Sequence, residues 1–463
     1  MLIRNAEVWR VGLADLRIDG AEIAAMGSLR PRSGEQIIDA AGAALLPGLH
    51  DHHIHLAGLA ARSASIVCGP PEIDDEAALA ARLRSAPGQS WLRGILYHES
   101  VLGLPDARRL DQLVPDRPLR IQHRSGRMWL LNSRALHELL AQTAAPPGLE
   151  REGGVFTGRL FDSDAWLRRA LGSTPPDLSA ISARLAAAGV TGVTDMTPQN
   201  GPAMAAHFAR QIEQGALHQR LTLAGNLALV GTRGPWSLGP AKLHLHEAAL
   251  PVFEEAVQFI IGAHRQARAV AVHCVSEVEL VFALAVLEEA GPVPGDRIEH
   301  ASVASLELVE RIAANGLSVC AQPHFIAERG DRYLADVEAR HHSDLYRLAS
   351  LAAAGIPLAG GSDAPFADAD PWAAMTAAVS RRTMKGRLID ADEALTPELA
   401  LALYLADPVD LARQRAISVG EAADLVLLRK PWATVRRDLG AGHVRATLIA
   451  GRIVHDCIDK APG

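Results

Sequence analysis

Apolar segments of strand length alternate with amphipathic helical segments from residue 189 onward, and this rhythm restricts the fold more than any other feature of the chain. The predicted strands cover residues 189–196, 221–229, 241–246, 269–275, 297–302, 317–323 and 357–363. The predicted helices between them include residues 251–266, 278–290, 305–315 and 344–354. An opening strand at residues 47–57 brings the total to eight. Because strands separated by helices pair in parallel with right-handed crossovers, the sequence predicts a (β/α)8 barrel of the TIM type.

The two ends of the chain contain short strands of their own. Residues 1–46 read as several short strands, with Asp19-Gly20 as a hairpin turn. Residues 417–463 contain further strand-like segments around a glycine turn. We therefore expect both ends to build one small β-sandwich domain, and the remainder of the barrel to cover residues 188–416.

The segment at residues 58–187 breaks the strand–helix rhythm. Clusters of proline and arginine, together with a glycine-rich run at residues 152–158, interrupt any regular pattern. Connections of this length in compact proteins are usually lids, binding elements or subdomains. We expect an inserted segment or subdomain after the first barrel strand.

The composition argues against several classes of function. The 463 residues are 49% hydrophobic and carry a formal net charge of -7, so we expect no basic surface for nucleic acid. No uncharged apolar run approaches the ~20 residues of a membrane span. The four cysteines lie far apart, as expected for reduced thiols: Cys68, Cys274, Cys320 and Cys457. We expect a cytoplasmic protein with a small-molecule substrate, no nucleic-acid or membrane partner, and a homodimer as the candidate assembly.

Histidines cluster at the end of the first predicted strand. Side chains alternate along a strand, so His53 and His55 point the same way, and neutral imidazole binds zinc and similar ions. Polar residues recur at or near the ends of later predicted strands, where a barrel has its active site: Lys242, His273, His300 and Asp363. Each alone has a simpler interpretation, since a buried histidine is often only hydrogen-bonded and an aspartate often begins a turn or caps a helix. Together they favour a metal site.

Several phrases of the sequence resemble the amidohydrolase superfamily. The match begins with Pro47-Gly48-Leu49-His50-Asp51-His52-His53-Ile54-His55 and continues through His273, His300 and Asp363. Within the superfamily, the chain most resembles the family-three branch that includes N-substituted formamide deformylase. That resemblance is carried by Arg297-Ile298-Glu299-His300-Ala301, Gly360-Gly361-Ser362-Asp363-Ala364-Pro365-Phe366 and Asp370-Pro371-Trp372. The phrases span nearly the whole chain.

The resemblance implies a divalent metal centre with one or two ions, and zinc suits its many histidines. It places the first ion on three residues and the second on two: His53, His55 and Asp363, then His273 and His300. Lys242 would bridge the ions if carbon dioxide carboxylates its amine, because an unmodified ammonium has no lone pair. The alternative for Lys242 is an ordinary ion pair or a solvated strand end.

The reaction implied by the resemblance is hydrolysis. A bound metal lowers the pKa of a water molecule toward neutrality, and Asp363 would act as the catalytic base that passes the proton to a leaving amine. The favoured substrate is an N-substituted formamide or another N-acyl compound, cleaved at its C–N bond. A cyclic amide, an ester or a lactone would suit the same site. A third alternative is a non-catalytic binding protein that retains the barrel.

Four further residues are candidates for substrate contacts: Arg127, His244, His246 and His324. Related sequences carry Asp-Gly shortly after the fourth-strand lysine, whereas His244 and His246 follow it here and share a strand face with it. Arg127 stands where relatives commonly show Gly-His, and an arginine there could bind an anionic group. The simpler alternatives are surface histidines, an exposed structural arginine and, for His324, a strand-end turn.

Overall fold

The computed structural model describes residues 1–88, 90–172 and 175–457 and divides the chain into two units. One unit combines Met1–Leu56 with the chain from Asp177 onward, and the other is Ala57–Pro176. Each unit has hydrophobic clusters of its own. No helix within the described ranges is long and apolar enough to cross a membrane.

Short strands open the chain: β1 (Leu2–Val8), β2 (Gly12–Asp19), β3 (Glu22–Gly27), β4 (Ile37–Asp39) and β5 (Ala44–Pro47). β1 pairs antiparallel with β2 and in parallel with β4 and β5, and β2 pairs antiparallel with β3. Gly20 has a φ of 58°, which allows the tight turn between β2 and β3. β6 (Leu49–Ile54) follows after a single residue, so the small sheet leads directly into the first barrel strand.

The second unit contains a six-stranded sheet flanked by short helices. The strands are β7 (Ile66–Val67), β8 (Leu92–Tyr97), β9 (Leu119–His123), β10 (Met128–Leu131), β11 (Leu149–Glu152) and β12 (Val155–Phe161). The helices of this part of the chain are α1 (Leu56–Ser63), α2 (Glu76–Arg84), α3 (Glu99–Leu102), α4 (Ala107–Leu113), α5 (Ser133–Leu140) and α6 (Asp164–Leu171). The strand order is β11-β12-β10-β9-β8-β7. Ordered secondary structure thus forms where the sequence shows no regular rhythm.

Seven strands follow β6 in the barrel: β13 (Val190–Asp195), β14 (Arg220–Gly225), β15 (Ser237–His244), β16 (Val270–Cys274), β17 (Arg297–His300), β18 (Ser318–Ala321) and β19 (Leu358–Gly360). The helices are α7 (Ser179–Ala187), α8 (Pro202–Glu213), α9 (Phe253–Arg265), α10 (Glu277–Ala290), α11 (Leu306–Ala314), α12 (His324–Asp336), α13 (Leu348–Ala353), α14 (Pro371–Ser380) and α15 (Pro397–Leu405). The eight strands lie in chain order, and all neighbours pair in parallel. The predicted (β/α)8 barrel is confirmed.

The barrel closes between β19 and β6 through contacts at the strand ends. Asp363 N donates to the backbone oxygen of His53 at 2.6 Å, and His55 N donates to the backbone oxygen of Ala364 at 2.8 Å. A Cβ atom at Gly361 would lie 2.6 Å from His53 N, so the missing side chain allows this close approach. Closure therefore brings the segment after β19 against the histidines of β6.

The remaining elements return to the small sheet: β20 (Leu425–Leu428), α16 (Trp432–Val435), β21 (Val444–Ile449) and β22 (Arg452–Asp456). β20 pairs antiparallel with β5, so strands from both chain ends join one eight-stranded sheet. One cluster of buried apolar side chains also draws on both ends. As the sequence predicts, strands from both termini therefore come together, here in one sheet, and the β-sandwich domain stays a prediction.

Several predicted elements have wrong boundaries, and two of them show the physical reason. Residues 227–229, predicted as the end of a strand, form the 3₁₀ helix Leu227–Leu229 because the Asn226 side chain accepts a hydrogen bond from Ala228 N at 3.0 Å. The helix predicted over residues 344–354 begins only at Leu348. Tyr346 has a φ of 49°, which no right-handed helix can include, so the preceding turn is a separate 3₁₀ helix, Ala339–Asp344.

Candidate metal centre

Three predicted ligands converge where the barrel closes. Asp363 Oδ1 lies 3.1 Å from His55 Nε2 and 3.5 Å from His53 Nε2. One ligand atom from each residue lies within 4.8 Å of the other two. All three side chains are largely buried, and His53 is only 1% exposed. Two imidazoles and a carboxylate around one point form a ligand set that suits a divalent ion.

The backbone around Asp363 is held in an uncommon conformation that directs its carboxylate toward the histidines. Asp363 has a φ of 51°, a left-handed value that non-glycine residues adopt only when neighbours hold them there. Asp51 supplies part of that support, because its Oδ1 accepts from Ser362 N at 2.9 Å and from His53 N at 3.1 Å. Burial raises the pKa of Asp51 to about 6. Asp51 on β6 therefore hydrogen-bonds to the segment after β19, which joins the two edges of the barrel beside the site.

His50 and His52 stand apart from this group. Their rings lie 4.5 Å apart between centroids, and both residues are buried. His50 Nε2 lies 2.9 Å from Thr194 Oγ1 on β13. These two histidines therefore pack against each other and against the neighbouring strand, while His53 and His55 face Asp363.

A second pair of imidazoles comes from β16 and β17. His300 Nε2 lies 2.9 Å from His273 Nδ1, and His300 Nδ1 lies 2.6 Å from Gln322 Oε1. The ring centroids of His53 and His300 are 4.9 Å apart, so the two groups of candidate ligands adjoin. Burial lowers the pKa of His300 well below its usual value, and burial together with the Lys242 charge lowers the pKa of His273 to about 3. Both rings are neutral at pH 7 and keep a lone pair for a metal.

Lys242 projects from β15 into the buried part of the barrel. The residue is 4% exposed, and its Nζ has no hydrogen-bond partner within the described part of the chain. Burial lowers the pKa of its amine, which favours the neutral form. An unpaired polar group in such a place is unfavourable, so the amine fits a chemical partner beyond the residues that the structure describes.

The donor atoms as a whole fit a divalent cation. His53 Nε2 and His55 Nε2 both face the same carboxylate oxygen of Asp363, and burial keeps the pKa of His53 well below its usual value. The two imidazoles and the carboxylate thus place three potential ligand atoms within 4.8 Å of one another, and the buried amine of Lys242 has no hydrogen-bond partner in the described part of the chain. A divalent cation would bind lone pairs of these nitrogen and oxygen atoms and so stabilise the arrangement.

Glu299 and Arg297 are buried beside the site, and neither was among the residues predicted to be functional. Glu299 Oε2 lies 2.5 Å from His53 Nδ1, and Glu299 Oε1 lies 2.5 Å from Arg297 Nε. A second group of potential ligand atoms, from His53, Glu299 and Cys320, also lies within 4.8 Å. The sequence signal was the alternation in β17, where the charged residues Arg297 and Glu299 flank the apolar Ile298 just before His300.

The predicted substrate residues lie in different surroundings. His244 is exposed, and its ring lies 4.3 Å from the His273 ring between centroids, whereas exposed His246 accepts from Ala248 N at 3.2 Å. Buried His324 donates from Nε2 to the backbone oxygen of Ser362 at 2.7 Å, and burial lowers its pKa to about 4. Arg127 lies in the second unit, where it donates to Asp162 from Nη2 at 2.7 Å and from Nε at 2.8 Å. Of the four, His244 directly contacts a candidate ligand.

Phe366 is a further residue at the site that the sequence did not suggest as functional. Its ring meets the His55 ring edge-on, with centroids 5.8 Å apart, and the residue is 60% exposed. Its backbone is anchored on both sides, because Phe366 N donates to the backbone oxygen of Asp363 at 2.8 Å and Arg329 donates to the backbone oxygen of Phe366 at 2.6 Å. An exposed aromatic ring on a fixed backbone therefore borders the candidate ligands.

Comparisons with known proteins identify the family. The sequence matches the model of the amidohydrolase family over residues 36–455. The protein YtcJ of Bacillus subtilis (strain 168), named as an amidohydrolase, is 26% identical, and the match covers 90% of this chain and 89% of YtcJ. The N-substituted formamide deformylase of Arthrobacter pascens is 25% identical, with 94% of this chain and 92% of that protein covered.

Solved structures share the fold. An uncharacterized metal-dependent hydrolase from Pyrococcus horikoshii OT3 has a TM-score of 0.79 at 20% identity, covering 96% of this chain and 99% of that one. A second uncharacterized metal-dependent hydrolase, from Pyrococcus furiosus, has a TM-score of 0.75 at 21% identity, covering 92% of this chain and 97% of that one. Since the family model matches most of the chain, this protein belongs to the amidohydrolase family and is a hydrolase that acts on C–N bonds.

Proposed function

We propose that this hydrolase cleaves the non-peptide C–N bond of a small amide, with an N-substituted formamide or another N-acyl compound as its substrate. The observation that carries the proposal is the convergence of His53, His55 and Asp363 at the closed edge of the barrel. The relative from Arthrobacter pascens, an N-substituted formamide deformylase, supports the choice of substrate class. The reaction requires an activated water molecule and a polarised carbonyl, which a bound divalent ion supplies.

In this proposal the candidate ligands would divide between two ions: His53, His55 and Asp363 would hold the first, and His273 and His300 would hold the second. Lys242 would bridge the two ions if carbon dioxide carboxylated its amine, and the unpaired, buried Nζ with its lowered pKa supports this role. Zinc suits a site rich in imidazole, although manganese, iron and cobalt accept similar ligands. If the site held one ion, His273 and His300 would instead be available to orient the substrate carbonyl.

Asp363 acts as the catalytic base and acid. Its carboxylate lies beside both His53 and His55, so it takes a proton from the attacking water and returns it to the leaving nitrogen. Gln322 Oε1 accepts from His300 Nδ1, which leaves the lone pair of His300 on Nε2, the ring nitrogen that lies 2.9 Å from His273 Nδ1. The protein groups thus position the substrate and move the proton.

The rim of the site suggests an apolar substituent on the substrate. The exposed Phe366 ring contacts His55, and the exposed His244 ring contacts His273. Flat rings in these positions favour a substrate group that is itself flat and uncharged. We therefore expect an amide with an aryl or arylalkyl substituent to be a better substrate than one with a methyl or carboxymethyl group.

The test combines elemental analysis with a substrate panel. The purified protein is analysed for bound metals and then assayed with matched N-benzyl and N-methyl pairs of formamides and acetamides, alongside a cyclic amide, an ester and a lactone. We expect a divalent ion and the highest kcat/KM with an N-benzyl amide. Turnover of only the ester or lactone would contradict the proposed substrate class, and turnover without a divalent ion would contradict the proposed site.

Two further features remain proposals about the cell and the assembly. The four cysteines are free thiols, which suits the reducing cytoplasm expected from the sequence. The expected homodimer can be tested by measuring the mass of the protein in solution by light scattering.

A further inference from the structure

A chain of buried charged groups lies behind His53. Glu299 Oε2 is 2.5 Å from His53 Nδ1, and Glu299 Oε1 is 2.5 Å from Arg297 Nε. Arg297 also donates from Nη2 to the backbone oxygen of His52 at 3.1 Å. None of His53, Arg297 and Glu299 is more than 3% exposed. Bulk water therefore has little access to these contacts.

Arg297 determines the direction of these hydrogen bonds. A guanidinium group stays charged in proteins and can only donate, so the Glu299 carboxylate beside it accepts on both oxygens. His53 must then donate from Nδ1. A neutral imidazole with its proton on Nδ1 carries its lone pair on Nε2, the atom that lies 3.5 Å from Asp363 Oδ1.

The same contacts argue against a separate metal ion at the group formed by His53, Glu299 and Cys320. The Arg297 guanidinium already occupies one side of the Glu299 carboxylate, and His53 Nδ1 occupies the other. A divalent ion placed there would lie close to a buried permanent positive charge, where repulsion is strong. Glu299 is therefore better suited to support a ligand than to be one.

We infer that Glu299 is a positioning residue: oriented by Arg297, it holds His53 in the tautomer whose Nε2 can bind a metal ion. The inference rests on the proposed metal centre. Carboxylates that accept from the second nitrogen of a metal-binding histidine contribute roughly 10- to 100-fold to metal affinity.

The isosteric change Glu299→Gln tests this role. The amide oxygen of the glutamine turns toward Arg297, which offers only donors, so the amide NH2 group faces His53 Nδ1. His53 Nδ1 must then accept, which moves the ring proton to Nε2 and removes the lone pair directed at Asp363. The shape of the side chain is kept, but the preferred tautomer of His53 is reversed.

Zinc affinity is measured by reloading the metal-free protein in competition with a chromogenic chelator. We expect Glu299→Gln to weaken zinc binding by roughly 10- to 100-fold, while the circular dichroism spectrum stays the same. Zinc affinity within about twofold of that of the original protein would overturn the inference.

The change Glu393→Gln is the matched control. Glu393 is also a buried glutamate beside an arginine, 3% exposed and with Oε1 at 3.4 Å from Arg347 Nη1, and it accepts from Ser350 N at 2.9 Å. We expect this change to lower the thermal midpoint and leave zinc affinity unaltered. An equal loss of zinc affinity in both variants would show a general effect of the buried substitution and would also overturn the inference.

Nitrogen NMR of the metal-free protein, labelled with 15N-histidine, separates this inference from the proposed function. The His53 signal is assigned by its loss in the variant His53→Gln. We expect the ring proton on Nδ1 in the original protein and on Nε2 in Glu299→Gln. The same tautomer in both proteins would refute the positioning role, whereas the expected tautomers in a protein that binds no divalent ion would refute the proposed metal centre alone.

Discussion

Among single residues, Asp363 is subject to the most constraints. Its backbone N–H closes the barrel on His53, its φ is left-handed, and its carboxylate faces both His53 and His55. Each constraint restricts the position of the same carboxylate. A residue held this firmly beside two imidazoles is suited to move a proton without rearrangement, which favours rapid proton transfer.

The change Asp363→Asn should reduce kcat by roughly 100- to 10,000-fold, because an amide keeps the shape of the side chain but cannot take a proton. Most of the bound metal should remain, since the amide oxygen can still act as a ligand. Turnover is measured with the best substrate of the panel and metal content by elemental analysis. The exposed Asp368, which pairs with Arg184 at 2.7 Å, provides the control Asp368→Asn, for which we expect normal turnover. Near-normal kcat in Asp363→Asn would exclude it as the base.

At the scale of strands, β15 and the contact between β6 and β19 shape the interior of the site. β15 places Lys242 in register with Ala271 of β16, and His244 in register with His273, so Lys242, His273 and His300 lie on three consecutive strands. Gly361 lies where β19 meets β6 and allows the two strands to approach. The strands therefore determine how close the ligands can come.

The change Lys242→Met should not destabilise the metal-free protein. It replaces a buried amine without a partner in the described chain by an apolar side chain of similar length, which removes a desolvation cost of about 1–3 kcal/mol. The variant should bind less metal, and added bicarbonate should no longer improve reconstitution. Thermal unfolding of the metal-free proteins and elemental analysis after reloading provide the two measurements. Unchanged metal content would remove Lys242 from the ligand set.

The change Gly361→Ala should weaken the closure of the barrel. The new Cβ would lie 2.6 Å from His53 N and 2.9 Å from His53 Cα, so β19 must move outward at a cost of about 1–3 kcal/mol. We expect a lower unfolding midpoint in urea and weaker zinc binding, because His53 and Asp363 are separated. Gly442→Ala is the matched control, since a Cβ there has nothing within 4 Å. Equal midpoints for the two variants would contradict the proposed packing at Gly361.

At the scale of the whole molecule, the candidate ligands connect distant parts of the chain. They come from β6, β15, β16 and β17 and from the segment after β19, so the cluster extends from residue 53 to residue 363. These elements come together only when the barrel is folded. An ion bound there stabilises the folded state and has much less affinity for the unfolded chain.

Removal of the metal should therefore lower the thermal midpoint. A bound ion at free concentrations about 1,000-fold above its dissociation constant stabilises the folded state by roughly 4 kcal/mol, so chelation should lower Tm by several degrees. Differential scanning calorimetry with and without a chelator measures the shift. The variant His53→Ala should show little response to the chelator, and a wild-type Tm that is insensitive to chelation would contradict the proposed ion.

Much of the barrel and several candidate ligands could be predicted from local patterns. The strand and helix periods of the segments after residue 189 predicted the barrel, and alternation along β6 separated His53 and His55 from their neighbours. Glu299 was missed because its importance depends on a partner 246 residues away in the chain. Phe366 was missed because an aromatic residue after a strand is more often buried, and only the folded chain leaves its ring exposed beside His55.

The sequence by itself determined the type of fold, the family and the kinds of side chain available for chemistry, because periodicity and short motifs depend on residues that are close in the chain. The tertiary structure decided which of these side chains meet. Barrel closure brings Asp363 to the histidines of β6, and packing of β17 against the site brings Glu299 to the other side of His53. Such contacts depend on the joint packing of all eight strands, and no local pattern specifies the resulting distances or the tautomer of a histidine.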